Sequence, residues 1–284
     1  MDRSTFYRLA RAAAASIAVA VFGSADGPTS GNSAAVAEPR TADIWKKRHE
    51  GFVERSKKGN VDVLFAGDSI TQRWETDGKA VWDDTVAAWK PANLGIGGDR
   101  TQHLLWRITA GKELVGIEPK VVVLLIGTNN LFNNSPAEIA GGVRAILAEF
   151  RKQKPKAEIL LLGLFPRAGQ PIPERASVAP SGELNPKVAE VNALLAKLED
   201  DAAVTFLDLG GRFLDDRGNL PRKMMPDFVH LSTEGYRVWA GAIAQPIDDL
   251  LAGRPSPKRQ AKASWRRVDA FRERLMMWVS VSRP

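Results

Sequence analysis

In Lys120-Val121-Val122-Val123-Leu124-Leu125-Ile126-Gly127-Thr128-Asn129-Asn130, an unbroken apolar, mostly β-branched run from Val121 to Ile126 stops at a glycine and a polar turn. An alternating strand buries one face. A strand apolar at every position is buried on both, as expected of an inner strand in a parallel sheet covered by helices on each side. The run therefore predicts a central strand over 120–126. Outward from it, similar but shorter runs fall near 61–66, 92–95, 157–163 and 203–208. Stretches of helical periodicity near 42–57, 101–112, 136–152, 184–200 and 233–251 occupy the spaces between them. Such alternation predicts an α/β domain with a mostly parallel sheet and helices on both faces.

In open parallel sheets ligands bind beyond the carboxyl ends of the strands, so the residues just past each run are the ones to inspect. After Val61 to Phe65 comes Ala66-Gly67-Asp68-Ser69, which places Ser69 in a turn at such an end. A serine hydroxyl needs a base to become a nucleophile, and imidazole is the usual one near neutral pH. The chain has three histidines. His49 lies in a charged stretch that reads as a solvated helix, and His103 follows Asp99-Arg100 at the start of another helix. His230 alone has a carboxylate, Asp227, three residues before it. That spacing lets Asp227 accept from Nδ1 and leaves Nε2 facing a serine. The ordinary alternative is a helix start, with Asp227 as cap and His230 on the surface.

Acyl transfer also needs donors aimed at a developing oxyanion. Gly98, in Leu94-Gly95-Ile96-Gly97-Gly98-Asp99, can offer an unshielded backbone N–H, and Asn129, just past the central strand, can offer its carboxamide. Each alone reads equally well as a turn residue. A phosphate cradle ranks low, because the glycines follow G-x-G-G-D rather than G-x-G-x-x-G and no G-x-x-x-x-G-K-[ST] occurs. Arg73 and Trp74, one turn after Ser69, could touch a substrate but are not counted among the site residues. Trp82, Trp89, Trp106 and Trp239 read as helix packing rather than substrate stacking.

Taken in order, Gly67-Asp68-Ser69, Gly97-Gly98-Asp99, Gly127-Thr128-Asn129 and Asp227-Phe228-Val229-His230 resemble the blocks of the SGNH (GDSL-type) hydrolase superfamily. The longer strings Asn93 to Ile108, Leu161 to Arg167 and Asp227 to Ser232 are similar to the catalytic-subunit subgroup of intracellular platelet-activating-factor acetylhydrolases, over about residues 43 to 251. The resemblance implies a flavodoxin-like, three-layer α/β/α fold with a central five-stranded parallel sheet. It implies Ser69 as nucleophile, His230 as base and Asp227 as its orienter. The Ser69 N–H, the Gly98 N–H and the Asn129 side chain would form the oxyanion hole. It also implies a small acyl pocket at Ile70, Thr128 and Val229, all β-branched and stiff, sized for acetyl. Asp68 would brace the loop. The expected activity is ester hydrolysis through an acyl-enzyme, with short-chain esters as substrates. A carbohydrate O-acetylesterase or acyltransferase acting on polysaccharide, a lysophospholipase-like lipid esterase and a non-catalytic binding module on the same fold are the alternatives.

The 284 residues divide naturally into one domain and two appendages, expected at 1–37, 38–253 and 254–284. Arg3, Arg8 and Arg11 precede the uncharged stretch Ala12 to Phe22, too short to span a bilayer but right for a signal-peptide core. Ala35-Val36-Ala37, or the earlier Gly23-Ser24-Ala25, fits a cleavage site, so the expectation is export to a periplasm or beyond. The other reading is an Ala-rich amphipathic helix on a cytosolic protein, where the resembled subgroup resides. Without cysteine and with so few histidines, neither a disulfide scaffold nor a catalytic metal is expected, and no cofactor is. Residues 254–284 hold nine Lys and Arg against two acids, which accounts for the whole chain's net charge of +7. A nucleic-acid reading of the charge thus loses its force for the domain. Trp265, Val268, Phe271, Leu275 and Trp278 give this tail a helical apolar stripe suited to peripheral contact with an anionic membrane, or to packing on the domain. The partners expected are a small ester, an acetylated carbohydrate or a lipid. The Pro-rich segment between Arg167 and Asn185 is expected to rim the site.

Overall fold

A computed structural model describes residues 31–200 and 203–254. The five predicted strands are present, each within two residues of expectation: β1 (Val63–Gly67), β2 (Pro91–Gly95), β3 (Val121–Leu125), β4 (Glu158–Leu162) and β6 (Val204–Leu207). All pair in parallel, in the order β2-β1-β3-β4-β6. β1 and β3 are buried at every position, as an inner strand covered on both faces must be. Helices α1 (Asp43–Lys57), α2 (Ser69–Gln72), α3 (Lys79–Asp84), α4 (Thr101–Ile108), α5 (Pro136–Gln153), α6 (Lys187–Leu195) and α7 (Thr233–Leu251) flank the sheet. α4, α5 and α6 pack side by side, and α3 packs on α7.

Local chemistry sets the helix boundaries. Ser135 and Glu138 form a reciprocal capping box with Pro136 at the first helical position of α5. Ser232 accepts from the Gly235 N–H at the start of α7. The short α2 begins where Asp68 accepts from the Ile70 N–H at 2.9 Å. It is held against the sheet by an aromatic cluster. Trp74 meets Tyr236 at 4.5 Å and Trp239 at 4.9 Å between ring centroids, and the Tyr236 hydroxyl donates to the Ile70 carbonyl at 2.6 Å. Trp74 therefore lies wholly inside the core, and Arg73 turns away to pair with Asp77 at 3.5 Å. Neither is placed to reach a substrate. Trp239 is fully buried, while Trp82, Trp89 and Trp106 are partly buried against the core, as their spacing suggested.

Two further features go beyond the strand and helix pattern. The Pro-rich segment contributes β5 (Val178–Ala179), which pairs antiparallel with β7 (Leu220–Pro221). Arg222 reinforces the link, its Nε donating to the Ala176 carbonyl at 2.5 Å and a terminal nitrogen to the Pro173 carbonyl at 3.1 Å. The segment is thus bound to the stretch of chain that leads into Asp227. At the other end, the edge expected at Glu38 lies inside packed structure. Ala34 is fully buried, its carbonyl accepts from Thr101 Oγ1 at 2.7 Å, and Asn32 Nδ2 donates to the Glu138 carbonyl at 3.1 Å. Residues 32–35 are therefore built onto α4 and α5, as short polar side chains next to helix ends allow. The signal-peptide core, the site at Gly23-Ser24-Ala25 and the tail from 255 on lie outside the described residues. Among the described residues no helix is long and apolar enough to cross a membrane.

Candidate active site

The sheet register lines up the site. Gly67 at the end of β1 stands opposite Gly95 of β2 and Leu125 of β3, so the three strands end level. Ser69, Gly98 and Asn129 follow those ends. The strand order reverses between β1 and β3, and that switch point is where open α/β sheets form their crevice. Close approach there requires glycine: a Cβ on Gly67 would lie 2.2 Å from Thr71 Oγ1 and 2.3 Å from the Leu125 carbonyl oxygen.

Asp227 and His230 come from the turn before α7. Phe228, buried between them, has φ of +59°, a left-handed conformation that costs a non-glycine residue roughly 1–3 kcal/mol. Its carbonyl accepts from the Ala168 N–H at 3.1 Å, and the Arg222 guanidinium sits 4.4 Å over its ring. With the turn so held, Asp227 Oδ1 accepts from the Val229 and His230 N–H groups at 3.0 and 2.7 Å, and Oδ2 meets His230 Nδ1 at 2.7 Å. His230 Nε2 lies 2.9 Å from Ser69 Oγ. Partial burial would raise the Asp227 carboxyl, but the hydrogen bonds and charge of His230 and the Val229 N–H outweigh it and hold the group well below the usual carboxylate range. Asp227 is thus ionised and both of its oxygens are occupied.

The other histidines are elsewhere. His103 Nδ1 accepts from the Arg100 N–H at 3.0 Å within the α4 cap. His49 is not on a solvated face: its ring stacks on Trp45 at 5.6 Å and its Nδ1 meets Glu113 Oε1 at 2.7 Å. The charged residues around it concealed that contact, because Glu113 is far along the chain.

In the Gly97-Gly98 turn, the Gly97 N–H donates to Gln72 Oε1 at 2.6 Å and its carbonyl accepts from Arg40 at 2.7 Å. Gly98 has φ of +78° and is exposed, and its N–H has no partner among the described residues. Ser69 opens α2, so its N–H is one of the free donors at a helix start. Asn129 Nδ2 donates to the Asp99 carbonyl at 2.9 Å, which fixes the carboxamide and leaves its second N–H available.

This glycine turn rests on a buried ionic network that sequence reading did not find. Arg107, fully buried, donates to Asp99 Oδ2 at 2.8 Å, Glu113 Oε2 at 2.6 Å, and the carbonyls of Leu94 and Gly67 at 2.9 and 3.2 Å. Trp45 Nε1 and Arg40 complete the shell of Asp99 at 2.8 and 3.3 Å. Burial would lower the pKa of the guanidinium, but the two carboxylates raise it, so the charge is kept. The ends of β1 and β2 and the turn after β2 are thereby tied to one cation.

The pattern of the GDSL-like Lipase/Acylhydrolase family matches residues 65–238, which contain Ser69, Gly98, Asn129, Asp227 and His230. Platelet-activating factor acetylhydrolase IB subunit alpha2 of Homo sapiens is 38% identical over 218 residues, 76% of this chain and 89% of that protein. The alpha1 subunit of Rattus norvegicus is 35% identical over 209 residues, 73% and 84% of the two chains. The chain belongs to the GDSL-like lipase/acylhydrolase family. A GDSL-like lipase from Bacteroides thetaiotaomicron VPI-5482 shares the fold with a TM-score of 0.52, at 22% identity over 72% of this chain and 96% of that one. As a member of the family, the protein is a carboxylic ester hydrolase.

Other expected positions in this hydrolase are more enclosed. Ile70 and Thr128 are 2% and 3% exposed, and Val229 is half-buried. A cavity of about 570 Å³ lined by residues including Leu164, Leu184, Asn192 and Asp208 contains none of Ser69, Asp227 and His230.

Asp68 does more than cap α2. Its Oδ2 is buried without a partner, and burial pushes the carboxyl up to about 7 against the pull of the Ile70 N–H. Such a group keeps its proton in the fold after the unfolded chain has lost it. Stability therefore falls as pH rises from the ordinary carboxylate value to about 7, and levels off above. A shift of this size corresponds to about 4 kcal/mol at most. Asp68→Asn retains the cap but cannot ionise, so its melting-temperature advantage over the parent is expected to grow between pH 4 and 7 and then stay flat. A difference independent of pH would contradict the account. Asp227 titrates with the opposite sign at lower pH, in both proteins alike.

Proposed function

We propose that the protein hydrolyses short-chain, foremost acetyl, esters with Ser69 as the nucleophile. Ser69 Oγ attacks the ester carbonyl carbon as His230 Nε2 takes the hydroxyl proton. Asp227 steadies the imidazolium, and the Ser69 and Gly98 N–H groups with the Asn129 carboxamide receive the oxyanion. Collapse breaks the carbonyl carbon bond to the leaving oxygen, which takes the proton from His230. Water, deprotonated by His230, attacks the acyl-enzyme; the acid leaves and Ser69 recovers its proton. The observation that carries this reading is the continuous chain of contacts from Asp227 through His230 to Ser69, at 2.7 and 2.9 Å.

Acetyl is favoured on the acyl side because Ile70 and Thr128 leave little accessible surface there, and because the relatives bear the name acetylhydrolase. With one leaving group, kcat/KM for acetyl is expected to exceed that for octanoyl by more than the ~10-fold that one or two ill-fitting methylenes cost. Equal rates, or faster cleavage of octanoyl esters, would replace the small pocket with a lipase-like groove.

A further inference from the structure

Arg167, in the loop after β4, is a half-buried cation, and among the described residues no carboxylate lies within ion-pair distance of it. Its Nε is buried without a hydrogen-bond partner. Its guanidinium lies 4.8 Å over the ring of Phe132, which is 64% exposed and thus one of the few large apolar side chains among the described residues that face solvent. Burial pushes the guanidinium pKa down, while Asp68 and Asp227 pull it up, so it is within electrostatic reach of the site.

The backbone places it more closely. The next residue, Ala168, pairs with Phe228 in the Asp227–His230 turn, and Phe132 follows Asn129 by three residues. Lys187 Nζ holds the Phe132 turn by donating to the Leu131 and Asn134 carbonyls at 3.0 and 3.4 Å. Arg167 therefore stands between the wall that carries Asn129 and the wall that carries His230.

A desolvated guanidinium without a counter-charge is costly unless a partner arrives. The neighbouring carboxylates do not supply one: Asp227 has both oxygens engaged, and Asp68, with Oδ1 in the α2 cap and Oδ2 free, lies outside ion-pair distance of Arg167. Stacking on an aromatic ring leaves the N–H edge of an arginine free for a pair of oxygens on a carboxylate or a phosphate. Building on the esterase reading above, we propose that Arg167, stacked on Phe132, receives an anionic group, carboxylate or phosphate, on the alcohol side of the ester. Specificity for the acid then lies beside Ser69 and specificity for the alcohol at Arg167.

The test uses two matched pairs of acetyl esters: 4-acetoxybenzoate with 4-acetoxybenzamide, and 1-acetylglycerol 3-phosphate with 1-acetylglycerol. The wild-type enzyme is expected to prefer the anionic member of at least one pair by kcat/KM, and the responding pair separates carboxylate from phosphate. Arg167→Met is expected to reduce that preference roughly 10- to 100-fold, the worth of a charge-assisted hydrogen bond, and Arg167→Lys to restore part of it. Phe132→Ala alters an exposed side chain and so reads the subsite even if Arg167→Met fails to fold; it is expected to lower the preference severalfold. Absence of any wild-type preference, or variants that lose activity equally on anionic and neutral esters, would overturn the proposal and leave Arg167 as a brace. Failure of the esterase reading itself looks different: the wild-type enzyme would cleave none of the four esters.

Discussion

Ser69→Ala is expected to lower kcat on an aryl acetate roughly 10⁴- to 10⁶-fold, the range seen when a member of a Ser-His-Asp relay is removed. The hydroxyl at this position contributes one hydrogen bond, to His230 at 2.9 Å, in a half-buried setting. Its loss is therefore expected to change stability by no more than about 1 kcal/mol, and the melting temperature by a few degrees. Activity and stability are thereby separated. A variant that keeps a tenth of the parent rate, or that unfolds, would remove Ser69 from the role proposed for it.

Asn129→Ala is expected to reduce kcat about 10²- to 10³-fold with a much smaller change in KM, since an oxyanion donor acts on the transition state rather than on the bound ester. Asn129 also ties the β3 turn to the Asp99 carbonyl, so a purely structural role is the competing explanation. The two roles differ in readout. Loss of the tie alone would raise KM and lower the melting temperature, whereas loss of the donor lowers kcat at nearly constant KM. An unchanged kcat would assign Asn129 to the turn.

Much of this architecture is legible in the sequence because it is local. The run Val121 to Ile126 is apolar at every position, and the structure buries every residue of it. The turns after β1, β2 and β3 carry their glycines and polar residues within a few positions of each strand end. What escaped reading is what joins distant segments. The Arg107 network draws Trp45, Asp99 and Glu113 together across more than sixty positions, and nothing in any one segment marks those residues as partners. Its one local trace is Arg107 on a helix whose neighbours Leu104, Leu105 and Ile108 are apolar, a placement that asks for a buried counter-charge. The β5–β7 pair is equally silent, because two-residue strands some forty positions apart carry no periodicity. His49 follows the same rule, its partner Glu113 lying sixty-four residues away.

Arg107 and Arg167 illustrate two uses of a desolvated arginine in one enzyme. Arg107 has its carboxylates and fixes the glycine turn; Arg167 stands beside the relay with an unpartnered Nε. The first is a structural tie and the second is offered as recognition.

In the proposed mechanism Ser69 is the residue that His230 activates. An alkyl fluorophosphonate becomes trapped on an activated serine, and peptide mass spectrometry then reports which residue carries it. The prediction is one adduct per chain, on the peptide containing Ser69, formed in step with loss of esterase activity and absent from Ser69→Ala. Inactivation with the adduct on another residue, or undiminished labelling of Ser69→Ala, would contradict it.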